Sequence, residues 1–147
     1  MLYVLEGCDG VGKSTVARHI QNIVGGAEII HCTAETPNTF EYFKGIIEEA
    51  DHKNIIADRF CYGQFVYQTP AERHMSWGQL RDLELLMQDH GVKVILVLAN
   101  IEDIKRRLEK RGETTSIPVH KIVDNFLQLF EVATVICPYV WYTSEEG

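Results

Sequence analysis

A three-layer α/β sandwich around a five-stranded parallel sheet is the fold the sequence predicts, on three observations. Apolar runs of strand length alternate with stretches of helical periodicity along the whole chain, which is the pattern of βα units. The run from Val92 to Leu98 is almost continuously apolar, as a central strand covered on both faces must be. A glycine-rich turn at 7–12 joins the first apolar run to the first helical stretch, a junction that parallel sheets build at the carboxyl ends of their strands.

Each element follows from local pattern. Leu2-Tyr3-Val4-Leu5 reads as a buried strand, and Val16, Ala17, Ile20, Ile23 and Val24 recur at helical spacing after the turn. Ile29-Ile30-His31-Cys32 is the second strand. Asn38 with Glu41 predicts a capping box for a helix that carries Phe40, Phe43, Ile46, Ile47 and Ala50. Asn54-Ile55-Ile56-Ala57 is a strand ending at Asp58. Ser76 with Gln79 caps a helix carrying Leu80, Leu83, Leu86 and Met87, which Gly91 closes. Asn100 starts a short basic helix that ends at Arg111-Gly112, and Pro118 opens another with Val119, Ile122, Val123, Phe126 and Phe130 on its core face. Thr134 to Tyr142 is the fifth strand candidate, weakened by Pro138.

Composition sets bounds on function. A chain of 147 residues with 46% hydrophobic and 24% charged residues is expected to fold as one soluble domain spanning 1–147. Its net charge of −7 argues against broad electrostatic binding to nucleic acid or an acidic membrane surface. Any anionic ligand must be held by local positive groups. Cys8, Cys32, Cys61 and Cys137 lack metal or redox spacing. No signal peptide and no apolar stretch of spanning length is evident, so a cytoplasmic, reduced protein is expected. The sequence leaves a homodimer open.

Gly7-Cys8-Asp9-Gly10-Val11-Gly12-Lys13-Ser14 has the spacing G-x-x-x-x-G-K-[ST] of a phosphate-binding loop. The glycines let backbone N–H groups ring a β-phosphate, Lys13 adds a solvent-facing cation for the β- and γ-phosphates, and the Ser14 hydroxyl can ligand Mg²⁺. The helix beginning near Lys13 aims its positive end at the same anion. ATP and Mg²⁺ are therefore the expected cofactors, with Gly7, Asp9, Gly10, Val11, Gly12, Lys13, Ser14 and Thr15 as the nucleotide-binding run.

Two further segments match in order and spacing. Glu6 through Thr15 resembles the E-G-x-D-G-x-G-K-S-T signature of thymidylate kinases. Asp58-Arg59-Phe60-Cys61-Tyr62-Gly63-Gln64-Phe65-Val66-Tyr67-Gln68 is similar to that family's D-R-[YHF]-x-x-S-x-x-A-Y-Q segment, with Gly63 in place of the serine and Val66 in place of the alanine. Arg107-Leu108-Glu109-Lys110-Arg111-Gly112 resembles the R-x-x-x-R-G that starts the lid, placing a short lid around 107–118. The resemblance implies a P-loop nucleoside or nucleotide kinase fold, and phosphoryl transfer from ATP to a small nucleotide, a (deoxy)nucleoside monophosphate with dTMP first. It implies Arg59 as a bidentate grip on the acceptor phosphate, Asp9 at the acceptor sugar, Gln64 near the base and Tyr67 beside the ribose. It also implies Asp58 near the metal and Arg107 and Arg111 as lid cations.

The Arg-Glu-Pro turn of that family is here Ala34-Glu35-Thr36-Pro37, without the arginine. Glu35 sustains an alternative, because deoxynucleoside kinases place a glutamate after the second strand as general base for a 5′-hydroxyl. A non-catalytic nucleotide-binding protein is the reading of another class. A GTPase would carry N-K-x-D, which the sequence lacks.

Overall fold

The computed structural model describes residues 1–33, 35–67, 75–115 and 117–144. Five parallel strands run β1 (Leu2–Glu6), β2 (Glu28–His31), β3 (Ile55–Asp58), β4 (Lys93–Leu98) and β5 (Tyr139–Tyr142), in the spatial order β2-β3-β1-β4-β5. This is the expected α/β sandwich. The two most apolar runs, β1 and β4, are neighbours in the middle of the sheet, where both faces are covered.

Alternation along β1 sends Leu2 and Val4 to one face and Leu5 to the other. On the first face α2 (Phe40–Glu49), α3 (Cys61–Tyr67) and α4 (Trp77–Asp89) pack through Phe43, Ile47, Tyr62 and Leu83, all fully buried. On the second, α1 (Lys13–Ile23), α5 (Ile101–Lys110) and α6 (Val119–Gln128) pack through Val16, Ala17, Ile104 and Phe126. Burying one such large side chain contributes about 1.5–3 kcal/mol, so the two clusters fix the strand ends that carry the site. Below the first layer, Glu84 accepts from Tyr62 Oη at 2.9 Å and from the N–H groups of Val135 and Ile136.

Several local expectations shift. The cap of α2 is Thr39, whose hydroxyl accepts from Tyr42 N, one residue later than the Asn38–Glu41 box. Ile23 is 70% exposed, so the apolar stripe of α1 ends a turn early. The last strand begins only after Pro138, which has no N–H to give to a ladder, and 129–133 continue α6 as a π-helical turn. The Ser76–Gln79 capping box and the Asn100 cap form as expected. Among the described residues no helix is long and apolar enough to cross a membrane.

Candidate active site

Register sets the location of the site. His31, Asp58 and Leu5 are partners across β2, β3 and β1, so the loops after these strands leave the sheet side by side. Gly7 turns the chain at φ 148°, and a Cβ there would lie 2.5 Å from Val97 O. Only glycine fits between the loop and β4. The loop then curls to Gly12, whose carbonyl accepts from Val16 N and starts α1.

A cleft of about 380 Å³ opens above these ends. It brings together Asp9, Gly10, Gly12, Lys13 and Ser14 of the loop with Asp58, Arg59 and Arg111, as the sequence motifs required. Lys13 corrects one expectation, because it is only 7% exposed and is not solvent-facing. Its Nζ donates to Gly7 O at 2.9 Å and Cys8 O at 3.2 Å, and lies 3.9 Å from Asp9 Oδ1. Burial lowers its pKa, and the carboxylates of Asp9 and Asp58 oppose that shift.

Arg59 stands in a left-handed conformation at φ 70°, its N–H fixed on Leu5 O at 2.9 Å. That geometry is uncommon for a residue with a Cβ and points to a functional constraint. Its guanidinium donates to Asp9 Oδ1 and Oδ2 at 3.2 and 3.4 Å and lies 4.2 Å from the Tyr67 ring centroid. Tyr67 Oη in turn accepts from Asp9 N at 3.2 Å. Asp9, Arg59 and Tyr67 therefore form one closed unit, with Tyr67 behind Arg59 and outside the cleft lining.

Ser14 and Asp58 present a hydroxyl and a carboxylate to the same cleft, with Asp58 Oδ2 3.2 Å from His31 Nδ1. Hard oxygen donors of this kind suit Mg²⁺, which takes few protein ligands and shares the rest with phosphate and water. Among the described residues no cluster of three His, Cys, Asp or Glu forms a metal site.

Gln64 is outside the cleft lining, and its Nε2 donates to Thr33 O at 2.8 Å. Glu35 is exposed and accepts from Thr33 Oγ1 at 3.0 Å. Arg107 projects from α5 onto the underside of the phosphate loop. It donates to Gly10 O and Val11 O at 3.3 and 3.1 Å and to Thr143 Oγ1 at 3.3 Å. Arg111 is the exposed C-cap of α5. A second cleft, about 440 Å³, lies on the outer side of the loop between Thr15, His19, Arg107, Arg111 and Trp141. Arg111 lines both. Ala34, Gln68 and Ser116, which belong to the turn, the second motif and the lid, lie outside the described residues.

Sequence reasoning missed Glu6 as more than a motif letter. It is fully buried, burial pushes its carboxyl up to about 7, and its Oε2 accepts from Gly63 N at 2.9 Å. A charged residue ending an apolar strand was the available signal.

No protein-family model matches the sequence. The chain is 30% identical over 138 residues to the SPbeta prophage-derived protein YorR of Bacillus subtilis (strain 168), covering 88% of this chain and 79% of that protein. The crystal structure of YorR in complex with phosphorylated GDP matches with a TM-score of 0.77 at 25% identity, over 98% of this chain and 85% of YorR. Deoxyadenosine kinase from M. mycoides, with products dCMP and a flexible dCDP bound, matches at 0.58 and 17% identity over 97% and 90% of the two chains. Thymidylate kinase from Candida albicans is more distant, at 0.53 and 15% over 99% and 84%. The last two likenesses show the fold, a P-loop kinase sandwich.

Proposed function

The chain belongs to the family of the prophage-derived protein YorR, and from that membership and the geometry of the cleft we propose that it is an ATP-dependent kinase acting on a (deoxy)nucleoside monophosphate, with dTMP the first choice. The observation that carries this reading is that Lys13 and Arg59, on separate loops, line one cleft and share the carboxylate of Asp9. Phosphoryl transfer between two anions needs both phosphates held by fixed positive groups. A second cation on the acceptor side of the cleft, held apart from the phosphate loop on the turn after β3, suits an acceptor that is itself an anion.

In this reading the loop N–H groups and Lys13 hold the donor phosphates, and Lys13 exchanges the carbonyls of Gly7 and Cys8 for phosphate oxygens. Arg59 grips the acceptor phosphate with a planar fork that a lysine could not reproduce. Asp9 orients that fork and meets the acceptor sugar, while Tyr67 backs it. Ser14 and Asp58 would hold Mg²⁺, which when bound supplies charge neutralisation at the β- and γ-oxygens. The second cleft takes the donor base beside Trp141, and Arg111 spans both sites from the start of a short lid, 107–118. Gln64 reaches the base only indirectly, through the loop it holds at Thr33.

A second reading has its own observation. Thr33, a cleft residue, holds the carboxylate of Glu35 at its rim, where a general base for a 5′-hydroxyl would stand. The test is initial rates with Mg-ATP against deoxynucleoside monophosphates and free nucleosides. YorR was crystallised with phosphorylated GDP, so guanine nucleotides join the panel as donor and acceptor. Faster reaction with a nucleoside than with any monophosphate would reject the first reading.

A further inference from the structure

Glu6 ends β1 with its side chain wholly inside the protein. Its Oε2 takes the Gly63 N–H at 2.9 Å, while Oε1 has no hydrogen-bond partner among the described residues. Gly63 is the position where the similar segments carry a serine, and the structure gives the reason for glycine here. A Cβ at Gly63 would lie 2.5 Å from Arg59 Cγ and 2.6 Å from Glu6 Oε1. The stem of Arg59 and the carboxylate of Glu6 thus fill the space that a side chain would need. Arg59 is also tied to Leu5 O through its own N–H, so two consecutive residues of β1 hold the turn after β3 from both ends.

We infer that Glu6 and Gly63 are positioning residues that set the Arg59 guanidinium at the cleft, an inference that rests on the reading of Arg59 as the acceptor-phosphate grip. An apolar residue would fill the space under β1 without desolvating a charge. Glu6 instead faces Lys13 from α1, Arg59 and Cys61 from the segment after β3, and Cys32 from the segment after β2. Its carboxylate is thereby the link between the turn that carries Arg59 and the loop that carries Lys13. Without the Glu6 carboxylate, the Gly63 N–H loses its acceptor and the stem of Arg59 loses one wall, while the rest of α3 stays packed through Cys61 and Tyr62.

The experiment compares Glu6→Ala, Glu6→Gln and Gly63→Ala by steady-state kinetics with dTMP and ATP, and by NMR of the Arg59 Nε–H and the Gly63 amide. Glu6→Ala should raise the acceptor KM roughly tenfold, since a buried hydrogen bond to a charged group is lost, and leave the ATP KM within about twofold. Glu6→Gln keeps an oxygen for the Gly63 N–H and should restore the acceptor KM. Gly63→Ala should reproduce the acceptor defect by displacing the Arg59 stem, and it decides the matter alone if Glu6→Ala does not fold. Acceptor and ATP KM values that stay unchanged, or rise together, in both variants would overturn the inference. If the wild type phosphorylates no monophosphate, the monophosphate-kinase reading fails, and the NMR signals still decide the positioning. Faster exchange at Gly63 in Glu6→Ala with a displaced Arg59 Nε–H in both alanine variants upholds it, and unchanged signals refute it.

Discussion

Asp9 Oδ1 lies 3.2 Å from Arg59 Nη2 and 3.9 Å from Lys13 Nζ, so one carboxylate sits between the cation of the phosphate loop and the cation that follows β3. The Arg59 side chain is only 14% exposed whereas Asp9 is 45% exposed. The arginine is therefore the preorganised partner, fixed by Leu5 O, the Tyr67 ring and the Gly63 backbone. Asp9 is free to change partner when an anionic ligand competes for both cations. Electrostatic catalysis requires this arrangement, in which the dipoles and charges are set before the reactants arrive.

Lys13→Ala should abolish turnover, with kcat falling on the order of a hundredfold or more, as for removal of a preorganised donor to transition-state charge. Because Lys13 Nζ also satisfies Gly7 O and Cys8 O inside the loop, a modest loss of stability accompanies it. ATP consumption and a thermal melt measured on the same preparation check both parts, and retained turnover is incompatible with the donor role.

Arg107→Ala should weaken ATP binding and lower the melting temperature together. The guanidinium supports the carbonyls of Gly10 and Val11 and meets Thr143. Val11 O keeps the Thr143 hydroxyl at 2.7 Å, so the loss is that of a few part-buried hydrogen bonds, each worth about 0.5–1.5 kcal/mol. Nucleotide titration and a melt read the two effects. A loss confined to kcat, with ATP affinity and melting unchanged, would instead make Arg107 a group that acts on the transferring phosphoryl.

The sheet was legible because its signals are local. Strand-length apolar runs, the Ser76–Gln79 box and Gly91 at φ 66° each act within a few residues. Helix α3 was not, since Cys61 through Phe65 are all buried and show no polar face to mark a period. In the site, the loop and Asp58-Arg59 were readable from spacing. The tie of Arg107 to the loop carbonyls joins residues almost a hundred positions apart, and the Glu6–Gly63–Arg59 contacts depend on the same long-range packing. Neither leaves a pattern in the chain.

Glu6→Gln should change the pH dependence of stability. The folded carboxyl is raised from its usual 4.5 to about 7, with burial the cause and the Gly63 and Phe60 amides opposing it. Its contribution is thus fully present below about 4.5 and lost as pH rises through about 7. The ionised form is disfavoured by about 3 kcal/mol. Relative to wild type, the glutamine variant should gain stability between pH 5 and pH 8. Denaturant midpoints of both proteins across that range measure it, and a constant difference would refute the buried ionisation.

The nature of the acceptor is decided by two mutants read against each other. Arg59→Lys replaces a planar guanidinium, whose Nη2 now meets both Asp9 oxygens and which lies over the Tyr67 ring, with a point charge. If Arg59 grips a phosphate, kcat/KM for the monophosphate should fall markedly, within the roughly 2–5 kcal/mol seen when a buried charged partner is truncated. Glu35→Gln should then have little effect, because a phosphate oxygen is already ionised at neutral pH and needs no base. A 5′-hydroxyl acceptor reverses the pair, since its proton must leave during transfer and Glu35 is the carboxylate held at the cleft rim by Thr33. Initial rates of both mutants with the best acceptor give the answer. A collapse with Glu35→Gln beside near-normal rates with Arg59→Lys would remove the monophosphate kinase reading.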